Sequence, residues 1–276
     1  MVYKKLHLKD IYPFLGENGA DPVLECYLPY NMAEMNRSDD RRPCILICPG
    51  GGYCSCSERE AEPIALKFLA YGYNAFIITY SVKDYRFPTQ LREVAAAMEM
   101  IYANSREWNC DTEKIAIAGF SAGGHLAAHY SNCYNCDEVR KVFPESKRVN
   151  ASVLCYPVIC SDKGIAHEGS FEALVGHYPL TAEEGERFSC EKTVSADTPP
   201  AFIWHTAEDD CVPVMNSLLY AQSLAKYGID FSLHIFPYGG HGLSTADHMT
   251  CDNIDDKNCL CASWIDEAVK WLSLAM

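Results

Sequence analysis

Short apolar runs alternating with amphipathic stretches, from residue 43 to residue 274, most restrict what this chain can fold into. Residues 43–48 (PCILIC) form a continuous apolar run ended by Pro49 and three glycines, the pattern of a buried strand opening into a tight loop. Residues 74–80 (NAFIITY), 114–120 (KIAIAGF), 151–156, 201–205 and 231–236 read as further strands. Helical spacing occupies 60–71, with Ile64, Leu66, Phe68 and Leu69 for a buried face, and 91–108. It returns from Gly123 onward, over 214–227 up to Gly228, and over 262–274. Strands alternating with helices require a mostly parallel sheet covered on both faces, an α/β fold. The first 30 residues carry no helical pattern and are expected to form an antiparallel edge.

Residues 161–200 break the rhythm, being polar, interrupted by Gly and Pro, and only weakly helical. The segment is too long for an ordinary connection and reads as a small cap inserted between strands. No repeat or linker appears elsewhere, so residues 1–276 read as one domain carrying that insertion. With 49% hydrophobic and 12% aromatic residues, the chain can bury a sizeable core.

A net charge of −14 with no basic stripe argues against a nucleic-acid partner, because phosphate binding needs clustered Lys and Arg. No window approaches the roughly 18 apolar residues of a membrane span. The opening MVYKKLHLKDIYPFL has no apolar core of signal-peptide length, so a cytoplasmic protein is expected. Several of the 15 cysteines, among them Cys44, Cys48 and Cys155, sit inside strand patterns, where a reduced cysteine packs as a small hydrophobe. The close pairs Cys54/Cys56, Cys133/Cys136 and Cys259/Cys261 lie too far apart for zinc spacing. Free thiols and no metal are expected.

Gly119-Phe120-Ser121-Ala122-Gly123 matches G-x-S-x-G between the strand KIAIA and the helix pattern GGHLAAHY. A serine in such a tight turn projects its hydroxyl clear of the backbone. The helix N-terminus behind it contributes a favourable dipole and the Ala122 N–H. Ser121 is therefore the candidate nucleophile. The general base must reach that hydroxyl. His241 lies late in the chain, after a strand, in the glycine-rich loop FPYGGHG, and fits the role. His125 and His129 lack the glutamate of a zinc-binding HExxH helix and read as packing or supporting residues. His205 ends a strand and reads as structural. The acid should lie between serine and histidine in chain order, which points to Glu208-Asp209-Asp210 after the strand AFIWH. Asp209 and Asp210 are both candidates. By analogy with HGGG-type loops, Gly51 and Gly52 at the end of residues 43–48 are candidate oxyanion donors beside Ala122. No Lys-Ser/Thr follows them at the spacing of a phosphate-binding loop.

With these motifs in order, the chain resembles bacterial carbohydrate esterases of the α/β-hydrolase superfamily, the acetylxylan and feruloyl esterase-like enzymes related to the hormone-sensitive lipase group. PGGGY, GFSAGGHLA, DDCVP and GGHG carry the resemblance, over residues 44–243. HTAEDDCVPV resembles the hydrolase pattern with the acid four residues before a proline, which selects Asp209 over Asp210. Pro49 stands where the lipase side of the group carries a histidine, which favours the carbohydrate-esterase side. The resemblance implies ester hydrolysis through an acyl-enzyme, with no cofactor. The expected substrate is a small-molecule ester, acetate first, on a sugar or xylo-oligosaccharide. Feruloyl esters, and aryl formamides through the GxSAGGH-type elbow shared with kynurenine formamidase-like enzymes, are the alternatives. A prolyl-oligopeptidase-type peptidase would need a gating domain for which the chain has no room. A hydrolase-fold binding protein would typically have lost the serine or histidine. Tyr53, Phe87 and Tyr178 are candidate pocket residues.

Overall fold

The computed structural model describes residues 1–251 and 258–276. Its strands are β1 (Val2–His7), β2 (Val23–Leu28), β3 (Arg42–Cys48), β4 (Asn74–Thr79), β5 (Cys110–Phe120), β6 (Ala151–Cys155), β7 (Ala201–Thr206) and β8 (Phe231–Phe236). They form an eight-stranded sheet in the order β1-β2-β4-β3-β5-β6-β7-β8. β1 and β2 pair antiparallel, β2 runs antiparallel to β4, and the pairs from β4 to β8 are parallel. The expected antiparallel edge is present, and the sheet is that of an α/β-hydrolase.

The helices are α1 (Leu8–Ile11), α2 (Glu62–Ala70), α3 (Thr89–Ala103), α4 (Ala122–Cys133), α5 (Asp137–Arg140), α6 (Glu168–Val175), α7 (Ala182–Phe188), α8 (Met215–Tyr227) and α9 (Trp264–Ala275). Side chains of a strand alternate between faces, so each buried parallel strand feeds two cores. β3 sends Cys44, Leu46 and Cys48 to the core shared with α3, α4 and α8, and Ile45 and Ile47 to the core shared with α2 and α9. Each fully buried Leu, Ile or Phe contributes about 1.5–3 kcal/mol, which is what holds the helices to the sheet. The second core is anchored by Trp204 and Trp264, whose rings stack with centroids 5.3 Å apart. The Trp264 Nε1–H donates to the Ser244 carbonyl at 2.9 Å.

Several elements differ from the sequence reading, beginning with the short helix α1 (Leu8–Ile11) in the first 30 residues. The helix expected over 91–108 runs from Thr89 to Ala103, because the Asn104 side chain turns back and donates to the Met100 carbonyl at 2.8 Å. The freed residues let β5 begin at Cys110, paired with Arg42. Residues 161–200 hold two true helices, α6 and α7. α7 opens with a reciprocal cap in which Thr181 and Glu184 satisfy each other's backbone N–H. The segment connects β6 to β7 at the end of the sheet where Ser121 lies. Among the described residues no helix is long and apolar enough to cross a membrane.

Candidate active site

Ser121 stands between β5 and α4 with φ 54° and ψ −120°, a conformation that typically costs about 1–3 kcal/mol and persists only where the surroundings impose it. Here its N–H donates to the Cys155 carbonyl at 3.1 Å. Its own carbonyl accepts from His125 N at 3.1 Å and Val158 N at 3.0 Å. The flanking glycines are required by space. A Cβ on Gly119 would lie 2.2 Å from the Gly123 carbonyl oxygen, and one on Gly123 would lie 2.2 Å from that of Cys48.

The loop after β8 brings His241 to this serine, and the loop after β7 brings Asp209 to His241. The Ser121 hydroxyl donates to His241 Nε2 at 2.7 Å, and His241 Nδ1–H donates to Asp209 Oδ2 at 2.7 Å. The tautomer follows from Asp209 being an acceptor. Asp209 Oδ1 accepts the N–H groups of Cys211 at 3.0 Å and Val212 at 2.9 Å. Burial pushes the Asp209 carboxyl up, but hydrogen bonds from His205 and His241, the charge of His241 and the Val212 N–H outweigh it. The carboxyl is thereby held well below the usual carboxylate range. Asp210, the other candidate, is exposed.

The glycine loop divides its backbone donors. Gly50 N–H donates to the Glu60 carboxylate at 2.8 Å. Among the described residues the N–H groups of Gly51 and Gly52 take no protein acceptor. Gly51 at φ 123° and Gly52 at φ 64° need the freedom of glycine, and a Cβ on Gly51 would meet the Ser55 carbonyl at 2.2 Å. Ala122 N–H, at the first turn of α4, has no partner within the helix.

Three pocket residues were read from the sequence. Tyr53 is corrected outright. It is 1% exposed, edge-on to Tyr80, and its hydroxyl donates to His125 Nδ1 at 2.8 Å, so it supports the site from behind. Phe87 stacks on His129 and beneath the Arg187 guanidinium, lining a cavity of about 240 Å³ between α7 and the loop before α3. The Tyr178 hydroxyl donates to the Ser161 carbonyl at 3.3 Å. His125 and His129 are buried, as a supporting role requires.

Three residues near the site were missed in the sequence. Glu60 and Tyr156 are buried and hydrogen-bonded to each other at 2.8 Å. His167 sits beside the glycine loop, where a Cβ on Gly52 would lie 3.9 Å from its ring, and its Nδ1 bonds to the Ser170 hydroxyl at 2.8 Å. None of the three carries a local sequence cue. A larger cavity, about 820 Å³, lies on the far side of the Glu58–Glu60 turn against Tyr3, Tyr27 and Pro49. Ser121 and His241 do not line it. Among the described residues no group of three or more His, Cys, Asp or Glu side chains is arranged to hold a metal ion. Cys259 lies outside the residues whose side chains are described.

The sheet order and the serine turn at the end of β5 define an α/β-hydrolase. Within that class the chain belongs to the BD-FAE family, whose profile matches residues 27–224. It is 39% identical over 235 residues to an endo-1,4-beta-xylanase B of Butyrivibrio fibrisolvens, covering 80% of this chain and 35% of that protein. It is 30% identical to an acetylxylan esterase of Xylanibacter ruminicola, covering 83% of this chain and 45% of that one. The chain thus spans about a third and less than half of these two curated relatives. An acetyl ester-xyloside bifunctional hydrolase from Caldicellulosiruptor lactoaceticus superposes with a TM-score of 0.78 at 36% identity, over 96% of both chains.

Proposed function

We propose that the protein is a serine carboxylesterase that removes short acyl groups, acetate first, from a sugar or xylo-oligosaccharide. The observation that carries this reading is the continuous relay from the Ser121 hydroxyl through His241 to Asp209, with both links at 2.7 Å. Ser121 attacks the ester carbonyl while His241 Nε2 takes its proton. Asp209 holds the imidazole in the tautomer that can accept, and stabilises the imidazolium. Gly51, Gly52 and Ala122 N–H groups receive the oxyanion, a contribution of about 3 kcal/mol per donor. His241 then returns the proton to the leaving alcohol, and water repeats the sequence on the acyl-enzyme. Residues 161–200 act as a cap on one domain, with His167 reaching the glycine loop. The names of the xylan-acting relatives support the sugar substrate. The buried cysteines, packed as small hydrophobes, suit the reducing cytoplasm in which we place the protein.

The test is acetate release from acetylated xylo-oligosaccharides beside acetyl-nitrophenol, with a Ser121→Ala control. Release from both, lost in the variant, is the expected result. Cleavage of feruloyl esters or aryl formamides in preference to acetyl sugars would overturn the substrate, and turnover by Ser121→Ala would overturn the mechanism.

A further inference from the structure

Glu60 ends the turn Glu58–Glu60 and is 3% exposed, yet the relay just described makes no use of it. Its Oε2 accepts the Gly50 N–H and its Oε1 accepts the Tyr156 hydroxyl, both at 2.8 Å. The Tyr156 oxygen itself receives the Ser244 N–H at 2.9 Å, so its single proton goes to Glu60. Both groups facing the carboxyl are placed as donors, Gly50 through its N–H and Tyr156 through its hydroxyl. That arrangement suits a carboxylate accepting at both oxygens.

What Glu60 joins is as informative as how it is held. A Cβ on Gly50 would lie 2.6 Å from Glu60 Oε2 and 3.0 Å from Ser121 Cβ, so the carboxylate lies against the backbone beside the nucleophile. Tyr156 presents its ring to the His241 imidazole at a centroid distance of 5.0 Å and an angle of 71°. The Ser244 hydroxyl, three residues beyond His241, donates to the carbonyl of Arg59. One buried carboxylate therefore ties the glycine loop, the ring under the histidine and the histidine's own loop.

We propose that Glu60 is a positioning residue that fixes the oxyanion donors and His241 as one rigid unit and whose negative charge favours the imidazolium. The inference rests on the serine-hydrolase reading above. Burial raises the Glu60 carboxyl above its ordinary value, and the Tyr156 hydroxyl, the Gly50 N–H and the charges of His241 and Arg59 offset part of that. Its titratable and charged neighbours are Cys155 at the end of β6 and Tyr156 just after it, Tyr80 after β4, Arg59 in its own turn, and His241. His241 is faced in addition by Asp209 and, from the cap, His167.

The experiment compares Glu60→Gln, Tyr156→Phe and Ser121→Ala with the wild type, measuring kcat and KM for acetyl-nitrophenol across the pH profile. Misplacing a reacting group by an ångström costs on the order of 100-fold, so Glu60→Gln is expected to lose roughly 10- to 100-fold in kcat with KM little changed. Loss of the charge also moves the acid limb of kcat/KM to lower pH, by about half a unit, which a purely structural role would not do. Wild-type kcat and an unmoved acid limb in Glu60→Gln overturn the proposal. Should Glu60→Gln fail to fold, Tyr156→Phe decides: a kcat loss of about tenfold or more supports the linkage, and wild-type kcat overturns it. Turnover by Ser121→Ala overturns the hydrolase reading instead, so the two failures are distinct.

Discussion

His205 donates its Nε2–H to Asp209 Oδ2 at 3.2 Å, four residues on, and both side chains are fully buried. The same N–H reaches the Val212 carbonyl at 2.9 Å, and Nδ1 bonds to the Ser217 hydroxyl at 2.8 Å. Asp209 is thus gripped by two imidazoles, one facing Ser121 and one facing the core. His205→Ala is expected to cost about 1–3 kcal/mol of stability, because buried partners lose their hydrogen bonds. Urea unfolding reads that loss, and kcat is expected to fall with it as Asp209 loosens.

Asp209→Asn and Asp210→Asn separate two adjacent carboxylates by burial. Asp209 is 6% exposed and fully hydrogen-bonded, whereas Asp210 faces solvent. Asp209→Asn is expected to lower kcat by roughly 10⁴, the loss that follows when the histidine takes the wrong tautomer. Asp210→Asn should stay within about twofold, as surface changes usually do. Steady-state kinetics on acetyl-nitrophenol checks both.

Acid lability is expected from α4. Burial holds His125 down to about 4 and His129 to about 3, against an ordinary value of 6.5. Below pH 6.5 the unfolded chain takes up protons that the folded chain refuses, so the contribution to stability is full above that pH. It is lost as pH falls toward 4, at about 1.4 kcal/mol per pH unit for each histidine. Urea unfolding at a series of pH values should show the slope, and His129→Gln should remove about half of it. An unchanged slope in that variant would contradict the assignment.

Two glycines should respond oppositely to alanine. Gly123→Ala drives a methyl group into backbone oxygens and is expected to cost several kcal/mol or prevent folding. Gly185 lies inside α7, where an added Cβ meets only the Ser161 hydroxyl at 3.5 Å. Gly185→Ala should raise stability by about 0.5–1 kcal/mol through helix propensity. Thermal melts of both variants give the answer.

What could be read from the sequence was what is local. KIAIAGFSAGGHLAAHY carries its own strand, turn and helix, and each buried strand announces itself by composition. The capping box of α7 was equally local, since Thr181-Ala182-Glu183-Glu184 is a start signal, but the polarity around it masked the helix. Tyr53 was misread because its burial depends on Tyr80 and His125, neither of which is near it in sequence. Glu60 and Tyr156 are 96 residues apart and belong to unremarkable local patterns. Only the register of the sheet brings them together.

The contact that makes Gly123 irreplaceable is between main-chain atoms, with an added Cβ falling 2.2 Å from the Cys48 carbonyl oxygen and 2.3 Å from that of Pro49. No side chain intervenes between the first turn of α4 and the end of β3. The spacing between Ser121 and the glycine loop is therefore not a quantity that side-chain substitution can adjust gradually. It is fixed by the backbone of the two elements and changes only if one of them moves as a whole.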